Sequence, residues 1–152
     1  MTTDTKIDKV RGFDVWLLIG ATNQKVHRAL NHRLKEVDLS LSQHEILLAV
    51  HLKPNSTQKE VADKLLAVKS NVSTHIANLE KRGLIVRETD DVDTRVKRLS
   101  LSKKGSALVK RSFELQTELI HQMVADVSDR ELKILEGLMM RAGVVLDDVL
   151  HK

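Results

Sequence analysis

The chain is predicted to be mainly α with a small β wing: a winged helix-turn-helix carrying long N- and C-terminal dimerisation helices. Three observations predict this. Gly83 to Gly105, GLIVRETDDVDTRVKRLSLSKKG, reads as two short strands joined by a charged loop directly after a helix. Two short amphipathic segments linked by Leu66 to Lys69 come immediately before it. Both ends of the chain carry apolar residues at helical spacing over long stretches.

The first helix is expected from about Asp14 to Val37, where Ile19, Val26, Leu30, Leu34 and Val37 recur at steps of 7, 4, 4 and 3. A capping box of Ser42 and Glu45 is expected to start the second, which runs to about Leu52 and stops before Pro54. A second box, Thr57 and Glu60, opens a short helix with Val61, Ala62 and Leu65 inward. Between Ser70 and Arg82, Val72, Ile76 and Leu79 make one stripe, and Ser70, Asn71, Ser73, Thr74 and Asn78 fall away from it. Small hydrogen-bonding side chains on the free face of a second short helix suit a major groove, where Asn can pair with adenine and Ser or Thr can reach bases or phosphates.

The wing's first arm is Leu84 to Arg87 and its second Val96 to Leu101, which puts Lys97, Leu99 and Leu101 on one face. Its tip, Asp90 to Arg95, is polar except for Val92. Beyond it Val109, Phe113, Gln116, Ile120, Met123 and Val127 form a helical stripe up to a break at Val127 and Ser128. A third box, Ser128 and Glu131, starts the last helix, where Leu132, Leu135, Met139, Ala142, Leu146 and Val149 alternate steps of 3 and 4. That heptad seam, widened by Ile134, Leu138 and Val145, wants a facing helix and predicts a homodimer built from the chain ends.

Composition narrows the function classes. The 152 residues suffice for one core. The absence of cysteine excludes disulfides, thiolate zinc sites and thiol redox sensing. The longest apolar run, Val15 to Ala21, is too short to span a bilayer and the N-terminus lacks a signal-peptide core, so a soluble, cytoplasmic protein is expected. Lys53 to Arg111 holds 14 Lys or Arg against 7 Asp or Glu, which concentrates the net charge of +4 in the middle of the chain. A polyanion is the partner such asymmetry suits, through phosphate neutralisation.

The order of parts resembles the multiple antibiotic resistance regulator (MarR) family of winged-helix transcription factors over nearly the whole chain. The most specific portion runs from Ser56 to Gly105, with the LEKRGL step, the wing loop ending in Asp93 and Arg95, and the closing LSLSKKG. The resemblance implies a regulator of transcription, usually a repressor, that sits as a homodimer on pseudo-palindromic double-stranded DNA and is released by a small aromatic or amphipathic effector. It implies a DNA-binding region over 42–105 and dimerisation helices over 8–37 and 106–152. The wing arginine of such proteins enters the minor groove, which assigns Asp93 and Arg95 to the tip, the aspartate orienting the guanidinium. The candidate DNA-contacting residues are Lys69, Ser70, Asn71, Ser73, Thr74, Asn78, Asp93, Arg95 and Lys97. The chain departs from the family pattern at Leu66, where glycine is frequent, at Asp91 and Thr94 in the wing, and at Thr74, where arginine is common.

Trp16, His27, His32, His44 and His51 lie on elements that could border an effector cavity, but nothing assigns an effector-binding residue. No cofactor is expected. The seven histidines show neither HExxH spacing nor a His-x-x-x-His step, so no metal ligand is assigned. A metal-responsive regulator of the same fold is one alternative reading, and a winged-helix protein-interaction module without DNA binding another. No nucleophile motif or His and carboxylate arrangement points to an enzyme.

Overall fold

The computed structural model describes residues 10–66 and 70–151, and the chain divides into two compact units, Met1–Thr117 and Glu118–Lys152. In the first unit α1 (Phe13–Leu34) passes into a single 3₁₀ turn, Lys35–Val37, and the chain reverses at Asp38, whose φ is 53°. Only the C-terminal part of the α1 stripe is buried, at Leu30 and Leu34.

Helix α2 (Leu41–Leu52) is capped by Ser40 and Gln43, not by Ser42 and Glu45. Ser40 Oγ accepts from the Gln43 N–H at 3.2 Å, and Gln43 Oε1 accepts from the Ser40 N–H at 3.0 Å. Two overlapping boxes share the spacing here, and long-range contacts choose between them. Asn31 Oδ1 on α1 takes the Leu41 N–H at 3.0 Å, and the Leu39 N–H reaches Leu34 O at 3.1 Å, which starts the helix two residues earlier.

The boxes at Thr57 and Ser128 are formed as expected. Thr57 heads α3 (Gln58–Lys64), and α4 (Val72–Lys81) follows with Val72, Ile76 and Leu79 buried. Helix α4 ends in a Schellman turn: the Gly83 N–H bonds Glu80 O and the Leu84 N–H bonds Leu79 O, both at 2.9 Å, with Gly83 at φ 72°.

The wing arms are β2 (Ile85–Thr89) and β3 (Lys97–Leu101), antiparallel, with Ile85 opposite Leu101 and Thr89 opposite Lys97. A third strand that periodicity did not reveal, β1 (Ser56–Thr57), pairs with β3 through Ser56 and Leu99, giving the order β1-β3-β2. The central strand is thus flanked on both edges, and the wing's stem belongs to the same sheet as the start of α3. Leu34, Ile46, Leu47, Val50, Val61, Ile76, Leu79, Leu84 and Leu99 lie fully buried around it.

Helix α5 (Lys103–Met123) contributes to both units. Its buried residues are Gly105, Val109, Ser112 and Leu115, of which Val109 belongs to the stripe expected from hydropathy. Phe113, Ile120 and Met123 are exposed. Ser112 and Gln116 turn toward a buried histidine on α2. In the second unit, α6 (Asp129–Leu150) has no buried residue, and Leu135, Met139, Leu146 and Val149 of its seam are all exposed. Among the described residues no helix is long and apolar enough to cross a membrane.

Candidate nucleic-acid interface

The free face of α4 presents Ser70, Asn71, Ser73, Thr74 and Asn78, all exposed. Asn71 sits at the N-cap in the left-handed region, φ 61°, and its side chain makes no cap bond. Lys69 lies outside the described residues. Two of the five polar side chains are tied to neighbouring helices. Gln43 Nε2 on α2 donates to Asn78 Oδ1 at 3.1 Å, and Gln58 Nε2 on α3 donates to Ser73 Oγ. These bonds tie α4 to α2 and α3 through Asn78 Oδ1 and Ser73 Oγ. Neither glutamine was singled out in the sequence. The only cue is that each occupies the first or third position of a capped helix, next to the recognition face.

At the wing tip Asp93 grips Arg95 side-on. Arg95 Nε and Nη2 donate to Asp93 Oδ1 and Oδ2 at 3.0 and 3.2 Å, and the Arg95 N–H adds a third bond to Oδ1 at 3.0 Å. The Arg95 side chain is nonetheless 89% exposed, so it is oriented without being covered. Hydrogen bonds from the Arg95 side chain and backbone hold the Asp93 carboxyl below its ordinary range. Lys97 Nζ donates across the strands to Thr89 Oγ1 at 2.6 Å, which keeps its charge on the wing's outer arm.

The loop between the arms is shaped by Asp90. Its Oδ2 accepts from the backbone N–H groups of Asp93 and Val92 at 3.0 and 3.1 Å, and its Oδ1 accepts from Arg98 Nε at 2.7 Å. These bonds, the Asp93 N–H foremost, pull its pKa down to about 2. Glu60 is likewise brought to about 2, first by the Lys53 ammonium at 2.6 Å and then by the Thr57 N–H at 2.7 Å.

Behind this surface, α2 and its neighbours enclose an apolar-walled cleft of about 500 Å³. Leu30, Leu48, Leu52 and Leu66 form walls, and His44, Glu45, Gln116, Lys53 and Lys64 supply polar groups. Of the five aromatic or imidazole side chains that the sequence places near such a cavity, His44 alone lines this cleft. Its ring bridges α2 and α5, with Nδ1 2.9 Å from Ser112 Oγ and Nε2 2.8 Å from Gln116 Oε1. An amide oxygen only accepts, so Nε2 donates to Gln116 Oε1, while Nδ1 meets Ser112 Oγ, whose hydroxyl donates to Val109 O at 3.0 Å. Among the described residues no three His, Cys, Asp or Glu side chains gather as a metal site would need.

Burial lowers the His44 pKa from 6.5, against smaller upward pulls from Gln116 and Glu45. A group whose folded pKa is depressed binds its proton more readily when unfolded, so stability rises with pH through this range. The contribution is full above about 6.5 and is lost as pH falls toward the folded pKa. Urea-unfolding midpoints should therefore fall as the solution is taken from about pH 7 to about pH 5, and His44→Gln should flatten that fall. An identical slope in the variant would remove His44 from the account.

Comparison with known proteins agrees with this geometry. A family model described as MarR family matches residues 37–96. An HTH-type transcriptional regulator of Bacillus cereus is 34% identical over 136 residues, covering 88% of this chain and 90% of its own length. Among solved structures, the ligand-free organohalide-sensing RdhR transcriptional regulator superposes with a TM-score of 0.80 at 22% identity, over 100% of this chain and 91% of that one. The same regulator has been solved in a 2,4-dichlorophenol-bound form. A mutant MarR from E. coli complexed with operator DNA matches with a TM-score of 0.76 at 21% identity, over 92% of this chain and 99% of its own. The capped helix-turn-helix, the three-stranded wing and the 34% identity to a regulator across most of both chains lead to one conclusion: this protein is a DNA-binding transcriptional regulator of the MarR family.

Proposed function

We propose that the protein acts as a homodimeric repressor that reads a pseudo-palindromic duplex operator and leaves it when a small amphipathic effector binds. The reading head is the region 42–105, and the dimer is formed by α1, α5 and α6, the helices within the expected segments 8–37 and 106–152. In this reading α4 enters the major groove with Ser70, Asn71, Ser73, Thr74 and Asn78 outward, and Lys69, next in sequence before Ser70, is a further candidate contact. Arg95 enters the minor groove, while Asp93 orients it and Lys97 faces a phosphate. Two α4 helices would meet half-sites about 34 to 36 Å apart, one turn of DNA.

The observation that carries the proposal is Arg95, held in a bidentate grip yet almost wholly exposed. An exposed ion pair of this kind contributes little to folding, so its geometry serves positioning. Arginine is drawn to the strong negative potential of a narrow minor groove. The effector part rests on the cleft beside α2, whose apolar walls and few polar groups suit a small aromatic or amphipathic ligand. Such a ligand lowers DNA affinity only to the extent that it favours one spacing of the reading heads over another.

Selection of bound sequences from random duplex DNA should return an inverted repeat with half-site centres one helical turn apart. On the selected duplex, Arg95→Ala should weaken binding by roughly tenfold or more, about 1.4 kcal/mol, with the dimer intact by sedimentation. Unchanged affinity would take the wing out of the mechanism. Failure to enrich any duplex would overturn the DNA reading.

A further inference from the structure

One guanidinium joins three separate pieces of backbone at the base of the wing. Arg98 lies on the central strand, opposite Thr57 of β1 on one side and Glu88 of β2 on the other. Its Nε donates to Asp90 Oδ1 at 2.7 Å, and its Nη1 donates to Asn55 O at 3.3 Å. The same Nη1 is 4.0 Å from Glu60 Oε2. Glu60 is itself held by Lys53 at 2.6 Å and by the N-cap of α3. Asp90 in turn organises the tip through the N–H groups of Val92 and Asp93. The path from the α2–α3 corner to the tip therefore runs Lys53, Glu60, Arg98, Asp90, and ends at the backbone of the residue that grips Arg95.

We propose that Arg98 is a positioning residue for DNA recognition: it braces the wing against the α2–α3 corner and so sets where Arg95 stands relative to α4. This rests on the proposed DNA-reading role of Arg95. The brace needs arginine because the guanidinium fork has donors pointing in two directions at once, toward a carboxylate on the loop and a carbonyl behind the strand. A lysine ammonium on a flexible stem cannot span both. Asn55 is already constrained, with φ 62° and its N–H on Leu99 O at 2.9 Å, so the carbonyl that Arg98 meets belongs to a fixed corner. A finger held in place loses less freedom on entering a groove, and this is the part of affinity that the brace supplies.

A double-mutant cycle in duplex binding tests the proposal, using the full chain and the selected operator duplex. Arg98→Met should weaken binding roughly tenfold by loss of preorganisation. In an Arg95→Ala background the same change should cost less than about twofold, because the residue it positions is gone. Arg98→Lys should behave like Arg98→Met, and Asp90→Asn, which cuts the brace from the other side, should reproduce the loss in a chain whose β3 is untouched. Additive losses would mean that Arg98 meets DNA itself, and rescue by lysine would mean that charge alone matters. Either result overturns the brace, as does an Asp90→Asn chain that is folded and binds normally. If the wild-type chain binds no duplex, the regulator reading fails first and is told apart by that.

Discussion

Gly105→Ala should be the most damaging single change in the reading head, costing about 3 kcal/mol or more and largely unfolding the winged domain. A Cβ built on Gly105 would stand 2.0 Å from Leu84 O and 2.9 Å from Leu84 C. Both are backbone atoms, so no rotamer change relieves the clash. Leu84 cannot retreat. Its N–H closes the Schellman turn on Leu79 O, its carbonyl accepts from the Ser102 N–H at 3.1 Å, and its side chain is buried in the core. The Ser102 hydroxyl adds a bond to Gly83 O at 2.6 Å and accepts from the Gly105 N–H at 2.9 Å, fastening the start of α5 to the same turn. Overpacking of a well-filled core costs about 1 to 3 kcal/mol when side chains can shift, and the backbone contact places this case at or beyond the upper end. Urea unfolding followed by circular dichroism should show the midpoint falling sharply or the transition vanishing. A Gly105→Ala chain with an unaltered midpoint would mean that α5 can pivot away from the α4–β2 turn.

How much of this was readable beforehand depends on the distance over which each feature is decided. The caps at Thr57 and Ser128 and the Val72, Ile76 and Leu79 stripe are local, and the sequence states them correctly. The wing was legible because its first arm is apolar, its second alternates and its tip is polar. The start of α2 was not, because two boxes overlap between Ser40 and Glu45 and the choice falls to Asn31 on another helix. Strand β1 is two residues long, too short for any periodicity, and exists because Leu99 and Arg98 pair with it. Within the single chain α5 buries Ser112, which meets the buried His44 ring, while Phe113 of the expected stripe stays exposed. In the candidate site, the Asp93 and Arg95 contact is two residues apart and resemblance pointed to it. The Arg98 brace joins residues up to 43 positions apart, and no spacing rule could have drawn it.

Leu135→Glu or Met139→Glu should dissociate the proposed dimer by at least about a hundredfold in Kd. The α6 seam is exposed in the single chain, with Leu135 at 53% and Met139 at 41%, and Ile134, Leu138 and Val145 continue the surface beside it. At the other end Trp16, Leu17, Leu18 and Ile19 of α1 are exposed as well. Apolar area of this extent is unusual on a monomer, and the proposed two-fold pairing of the chain ends would remove it from water. In such a pair each substitution occurs twice. Each lost apolar side chain forgoes about 1.5 to 3 kcal/mol of burial, and each carboxylate adds its own desolvation cost. Sedimentation velocity should show a dimer becoming monomer at micromolar concentration while the folded helical signal persists, because α6 has no buried residue in the single chain whose loss would unfold it. Operator binding should then fall further than it does for Arg95→Ala, since each head would have to find its half-site alone, without the effective concentration that tethering supplies. A variant that remains dimeric would place the interface on another face, and one that is monomeric yet binds the full operator as tightly as before would separate dimerisation from recognition.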